Sequence, residues 1–375
     1  MVKIESVRAR TLCIPLETET SFATRRVTNR FYTVVQLRTS DGAQGIGFCY
    51  VGTTAGALAT LAVRELLAPV LIGEDPYAVE HLWEMMYQES LLHGRTGSVM
   101  RALSAVDIAL WDRNARAANL PLYRYLGCAL TEKVPAYASG GYYLKDKTPA
   151  MLADEMRNHV QAGYRAVKMK VGRLDPAQEE QRIAAVREAI GAETLLMLDA
   201  NNAWKDLPTA LRYMSRYEPY NPYWIEEPFS PDDIENHARL ARRTRVLVVT
   251  GEIEAGRWRF KELLDRQAAA ILQTDAAVCG GITEFRRIAQ MADGYGVTMC
   301  PHWWHDLHAH LVAAASNGRY VEFFPDDRVF NFRRVIDRQL EFRDGGLVLP
   351  TTPGLGFNFL ESELDRYATD DWTQK

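Results

Sequence analysis

From about residue 133 onward, hydrophobic residues arrive in short bursts. The bursts are "VPAYAS" at 134, "AVKMKV" at 166, "LLMLDA" at 195, "YWIEEP" at 223, "LVVTGE" at 247, "AAILQT" at 269, "GVTMCP" at 296 and "YVEFF" at 320. Amphipathic stretches such as "TPAMLADEMRNHVQAGY" and "EFRRIAQMADGYG" fill the gaps. The bursts have strand length and the gaps have helical periodicity. A repeat of roughly 25–30 residues is what a strand, a helix and two loops require. Eight such units predict an α/β fold of the (β/α)8 type, a TIM barrel, over residues 129–340. The competitor is an open doubly wound sheet, which more often has about five or six strands.

The opening region has a different texture. Residues 1–50 alternate like strands, with "SDGA" between apolar runs as a hairpin signal. The polar stretch Glu17 to Arg30 reads as a loop, and residues 57–128 read as helices. An α+β capping domain over residues 1–128 follows. After residue 340, "LEFRDGGLVLP" predicts a further hairpin, and residues 341–375 are expected to return to the cap.

Composition narrows the function. The chain has 375 residues, 47% hydrophobic and 25% charged, which suits a folded soluble protein and exceeds one ordinary core. A net charge of −4 with no basic block gives nucleic-acid binding no support. No apolar run reaches the roughly 18 residues of a membrane span, and the charged start "MVKIESVRAR" does not resemble a secretion signal. The five cysteines lie far apart with no CxxC spacing, which argues against disulfides and a thiolate zinc site and for the cytoplasm.

Chemistry gathers at the C-terminal ends of barrel strands. The second burst ends with Lys168 and Lys170, the third with Asp199 and Asn201, the fourth with Glu226 and Glu227 and the fifth with Glu252. The sixth ends with Asp275, the seventh with His302, and the eighth carries Glu322. Each alone reads as a solvated charge. Seven in succession point into one mouth if the barrel closes. Asp199, Glu226 and Glu252 on adjacent strands would repel one another without a cation, and an all-oxygen set suits Mg2+. The bland reading is three surface acids. Lys168 and Lys170 share one strand face. Mutual repulsion and burial would lower their pKa values and make a base, unless the strand is an edge with two solvated amines.

Four of the eight histidines fall in "CPHWWHDLHAH": His302, His305, His308 and His310. Spacings of three, three and two do not bring all four to one helical face, so zinc is disfavoured.

As a set, "AVKMKVG", "LMLDANNAW", "WIEEP", "TGE", "QTDAAVCGGITE" and "PHWWHDLHAHLVAA" resemble the enolase superfamily and, within it, the mandelate racemase subgroup. "ALSAVDIALWDRNARAANLPLYRYLG" resembles a helix of that family's first domain. The likeness spans nearly the whole chain. Such sites pair a Lys or His base with Mg2+. By this resemblance Asp199, Glu226 and Glu252 are the metal ligands. Lys170 is one acid/base, and His302 with Asp275 is the opposing dyad. Glu322 hydrogen-bonds the substrate carboxylate, and Lys168 and Asn201 support. The muconate-lactonizing subgroup carries a lysine where this chain has Asp275, which argues against cycloisomerisation.

The resemblance implies a small-molecule carboxylate substrate and a homo-oligomer. It points to an acid-sugar dehydratase, with a racemase or epimerase as the nearest rival and a non-catalytic barrel as a further one. His305, Arg25 and Trp304 are candidate substrate contacts, Trp304 as an apolar wall of the site. His308 and His310 are expected to be structural.

Overall fold

The computed structural model describes residues 1–128 and 131–375. Three long strands open the chain: β1 (Ile4–Ser21), β2 (Arg26–Thr39) and β3 (Gln44–Gly52), paired antiparallel. Four helices follow, α1 (Ala57–Ala62), α2 (Val79–Ser90), α3 (Gly97–Ala117) and α4 (Leu122–Tyr125). The long α3 is buried along most of its length, because it lies between the sheet and the rest of the protein. Two glycines allow the close approach. A Cβ on Gly45 would stand 2.0 Å from the Ala109 carbonyl oxygen, and one on Gly47 would stand 1.9 Å from that of Ala105. The expected boundary after residue 128 falls at residues 129–130, outside the described residues.

The polar stretch 17–30 departs from expectation. β1 continues to Ser21 and β2 begins at Arg26, so most of it is a projecting two-stranded arm with its turn at Phe22–Arg25. Such an arm leaves the sheet and is wetted over much of its surface. It therefore lacks the apolar alternation by which a half-buried strand is recognised.

The eight bursts are eight parallel strands: β4 (Lys133–Ser139), β5 (Ala166–Lys170), β6 (Leu195–Asp199), β7 (Trp224–Glu226), β8 (Leu247–Thr250), β9 (Ile271–Leu272), β10 (Thr298–Met299) and β11 (Val321–Phe323). Neighbours pair in sequence from β4 to β10, and β11 pairs with β4. The ring is completed where the Met299 amide donates to the Asn317 carbonyl at 2.9 Å and the Arg319 amide to that of Met299 at 3.0 Å. The crossovers carry α5 (Pro149–Gln161), α6 (Pro176–Ile190), α7 (Leu207–Tyr217), α8 (Ile234–Ala241), α9 (Arg257–Asp265), α10 (Ala276–Cys279) with α11 (Gly281–Gly294), and α12 (His305–Ala314). After β11 there is no eighth helix among the described residues; a short 3-10 turn, Asn331–Val335, takes its place.

Of the tail, β12 (Phe342–Arg343) and β13 (Gly346–Val348) form the expected hairpin, which pairs with β4 of the barrel. The rest of the tail reaches the cap: Gly354 bonds the backbone of Leu120 and Leu122, Leu355 donates to Asp112, Arg116 donates to Phe357 and Asn358, and α13 (Glu361–Tyr367) leads into β14 (Ala368–Gln374), which pairs with β1. Buried Arg10 on β1 bonds Glu361 and Asp365 and clamps that return. Among the described residues no helix is long and apolar enough to cross a membrane.

Candidate active site

A strand shows alternate residues to opposite faces, and a closed barrel turns one set inward. Along β5, Val167 and Met169 pack outward against helices, while Ala166 joins an inner cluster with Tyr137, Met197, Trp224, Val249 and Ile271. Lys168 and Lys170 continue that inner row. The parallel register then aligns the charges, with Lys170 opposite Asp199 and Asp199 opposite Glu226. Glu226 pairs with Val249, and Glu252 lies just beyond the end of β8. Glu322 sits opposite Tyr137 across the closure.

Lys168 Nζ lies 2.7 Å from Glu226 Oε1, 2.7 Å from Glu322 Oε1 and 3.5 Å from Asp199 Oδ2. Lys170 bonds Asp199 directly. This corrects the expectation that the lysines depress one another's pKa. Burial does act in that direction, but Glu226 and Glu322 around Lys168, and Asp199 beside Lys170, raise both above the usual amine value. Asp199 is lowered, since the two lysines overcome its burial. Glu322 is likewise lowered against its burial, to about 2, chiefly by Lys168. Its Oε2 accepts the Trp303 amide at 2.8 Å. Ionised in this way, Glu322 accepts hydrogen bonds and does not donate them. Glu226 goes the other way, raised by burial and by Asp199 despite Lys168.

On the other flank, His302 Nδ1 donates to Asp275 Oδ2 at 3.1 Å, and its Nε2 stands 3.6 Å from Glu252 Oε1. Burial opposes charge on His302, but Glu252 and the bond to Asp275 raise its pKa. The cap's arm covers this mouth. Thr24 donates to the Asn201 carbonyl at 3.1 Å, and the Phe22 ring lies 5.7 Å from Lys170 Nζ.

Other candidates lie elsewhere. Trp304 is buried between cap and barrel against Phe48, Phe332 and Tyr32, and so lines the domain junction, not the mouth. His305 is also buried, 3.1 Å from Asp306 Oδ2 and beside Phe330, with its pKa far below the usual value through burial. Arg25 is exposed at the turn of the arm. His310 accepts the Tyr123 amide at 3.1 Å and reaches the Leu355 carbonyl at 3.1 Å, tying α12 to the cap. Helix packing accounts for the histidines: α12 begins at His305 and buries His305, His308 and His310 in the interior.

One residue went unassigned from sequence. Glu227 is buried, and burial and Glu252 push its pKa well up. Its φ is 43°, while Asn201, Asn202 and Trp303 have φ of 44°, 62° and 69°. Left-handed backbone at non-glycine residues costs energy, and here it occurs just past the ends of the adjacent β6 and β7 and, farther round the ring, after β10. The doubled acid in "WIEEP" was the available signal.

Among the described residues, no three carboxylate, imidazole or thiolate groups already form a ligand cage. The donor set nevertheless fits a hard cation. Glu226 Oε2, Glu227 Oε1 and Asn201 Oδ1 are buried without a hydrogen-bond partner among the described residues. Buried oxygens do not normally remain unpaired, and Glu226 and Glu227, raised by burial and by neighbouring acids, are carboxyls a divalent ion would relieve.

Comparison with known proteins agrees with this architecture. The chain is 33% identical to arabinonate dehydratase of Saccharolobus solfataricus over 340 residues, 88% of this chain and 89% of that one. It is 32% identical to 3,6-anhydro-alpha-L-galactonate cycloisomerase of Streptomyces coelicolor over 366 residues, 97% and 99% of the two chains. The structure of L-talarate dehydratase from Polaromonas sp. JS666, complexed with Mg and L-glucarate, superposes with a TM-score of 0.89 at 32% identity. That superposition covers 100% of this chain and 99% of the other. Relatives named for two different reactions thus match equally well, and identity alone does not choose between them. The mandelate racemase / muconate lactonizing enzyme N-terminal domain matches residues 4–127 and the enolase C-terminal domain-like family matches residues 151–363, so the chain belongs to the mandelate racemase branch of the enolase superfamily.

Proposed function

We propose that the protein is an Mg2+-dependent hydro-lyase acting on an acid sugar, an aldonic or aldaric acid, and forming a 2-keto-3-deoxy acid. The observation that carries this reading is the pair of unlike proton carriers, Lys170 from β5 and His302 from the end of β10, flanking one cluster of carboxylates. The dehydratase relative and the Polaromonas complex support the substrate class.

Asp199, Glu226 and Glu252 would hold Mg2+, which would supply positive charge at the substrate carboxylate; with Asp199 engaged as a ligand, Lys170 would lose the partner that raises its pKa. One of Lys170 and His302 removes the α-proton. The other delivers a proton to the β-hydroxyl, which leaves as water, and the resulting enol becomes the keto acid. His302, raised in pKa by its acidic neighbours, is suited to hold the proton that the leaving hydroxyl needs. Lys168 stays charged beside Glu322 and can meet the substrate carboxylate. The arm over the mouth limits access of water.

The test is a panel of aldonic and aldaric acids with Mg2+ in D2O, with semicarbazide detection of keto product. Product is expected from at least one acid, and Lys170→Ala and His302→Asn should each lose roughly a hundredfold or more in rate. Deuterium entering recovered substrate without keto product would mean racemisation or epimerisation instead. Full activity in either variant rejects the assignment.

A further inference from the structure

His302 is fixed on one side by Asp275, and Asp275 is in turn held by a group outside the mouth. His308 lies on α12, fully buried, and its ring is stacked on Phe285 with centroids 6.1 Å apart at 23°. Its Nε2 accepts the Ala276 amide at 3.0 Å. A ring nitrogen that accepts carries no proton, so the proton of this imidazole is on Nδ1. The same Nε2 stands 3.6 Å from Asp275 Oδ1.

Asp275 is thus held at several points. Its Oδ1 accepts the Ala277 amide at 2.8 Å and its Oδ2 accepts His302 Nδ1. Its own carbonyl accepts the Cys279 amide at 2.8 Å, and the next residue, Ala276, is pinned by His308. Burial lowers the His308 pKa to about 4, so a neutral lone pair, and no competing cation, faces the carboxylate. His308 follows His302 along the same segment, so α12 returns from one member of the pair to anchor the other.

We infer that His308 is a positioning residue for the His302–Asp275 pair, acting through the Ala276 amide. The inference rests on the proposed function only in taking His302 as a proton carrier. A residue of this kind sets orientation without touching substrate, and small misplacement at a reacting group is costly.

The variants are His308→Leu, which has similar bulk and no acceptor, and His308→Gln, whose amide oxygen can take the Ala276 N–H. Three readouts are made on the full-length protein. The first is the downfield proton resonance of His302 Nδ1–H, identified by its loss in His302→Asn. In His308→Leu it should disappear or move, and in His308→Gln it should persist. The second is kinetics on whichever acid the panel identifies, where His308→Leu should lower kcat on the order of tenfold or more with KM within about twofold, and His308→Gln should recover most of it. The third is α-proton exchange in D2O for a pair of α-epimers. The epimer served by His302 should lose exchange, while the epimer served by Lys170 should keep it.

A His302 resonance unchanged in His308→Leu would overturn the inference, as would equal loss on both epimers or a Gln variant no better than Leu. A lower melting temperature with unchanged kcat would do the same, because that is what simple packing predicts. If the resonance responds as expected while no acid exchanges or dehydrates, the positioning role stands and the proposed function falls.

Discussion

The two flanks of the barrel mouth solve the problem of buried charge in opposite ways. On the β5–β7 side, full charges are packed together: Lys168 and Lys170 against Asp199, Glu226 and, across the closure, Glu322. Their balance is incomplete, since Glu226 and Glu227 remain raised and each keeps an unpartnered oxygen among the described residues. On the β9–β10 side, a hydrogen bond joins His302 to Asp275, the Ala277 amide donates to Asp275, and the adjacent Ala276 amide donates to His308. On the proposed reading the first flank exchanges partners with an incoming ion and substrate. The second is arranged to stay where it is.

The largest effect expected from breaking this contrast is on the first flank. Lys168→Met leaves Glu226 and Glu322 buried without their cation, and urea unfolding in EDTA should show a loss of about 3–5 kcal/mol. Partial recovery with added Mg2+ would sharpen the point. A loss under about 1 kcal/mol would mean the carboxylates had another partner. Next comes the metal itself. Ion at a hundredfold excess over its Kd should stabilise the wild type by about 2.7 kcal/mol. A melting temperature indifferent to Mg2+ and EDTA would contradict a cation site here.

A smaller effect concerns the buried histidines behind the second flank. Burial lowers His308 and His310 to about 4. As pH falls below the free value of 6.5, the unfolded chain takes up these protons first. Stability from each histidine is therefore complete above about 6.5 and lost toward pH 4, at up to about 1.4 kcal/mol per pH unit. His310→Gln should flatten the decline between pH 7 and pH 5 by one group's share. The same slope in the variant would show that His310 is not held neutral. The smallest effect is on the arm, where Arg25→Ala should change stability by no more than about 0.5 kcal/mol and leave KM within about twofold. A large rise in KM would return Arg25 to the substrate contacts.

Much of this arrangement can be read in the chain, though not evenly. The eight barrel strands were legible because each is a short apolar burst between helical stretches. The acidic and basic strand ends were legible because they break those bursts at the same point. The projecting arm was not, since its polar residues look the same in a loop or in a wetted hairpin. Trp304 and His305 were also misplaced, because a strand-end motif says nothing about how soon the next helix turns its residues into the core.

The sequence by itself determined the alternation that turns Lys168, Lys170, Asp199 and Glu226 inward, because a strand has a period of two residues wherever it lies. Only the tertiary structure decided the charge state of those lysines and which of four neighbouring histidines faces the mouth. It alone also revealed that an unassigned glutamate is buried beside them. Such properties depend on neighbours contributed by strands and helices far apart in the chain, and electrostatic environment and burial are set by distance in space.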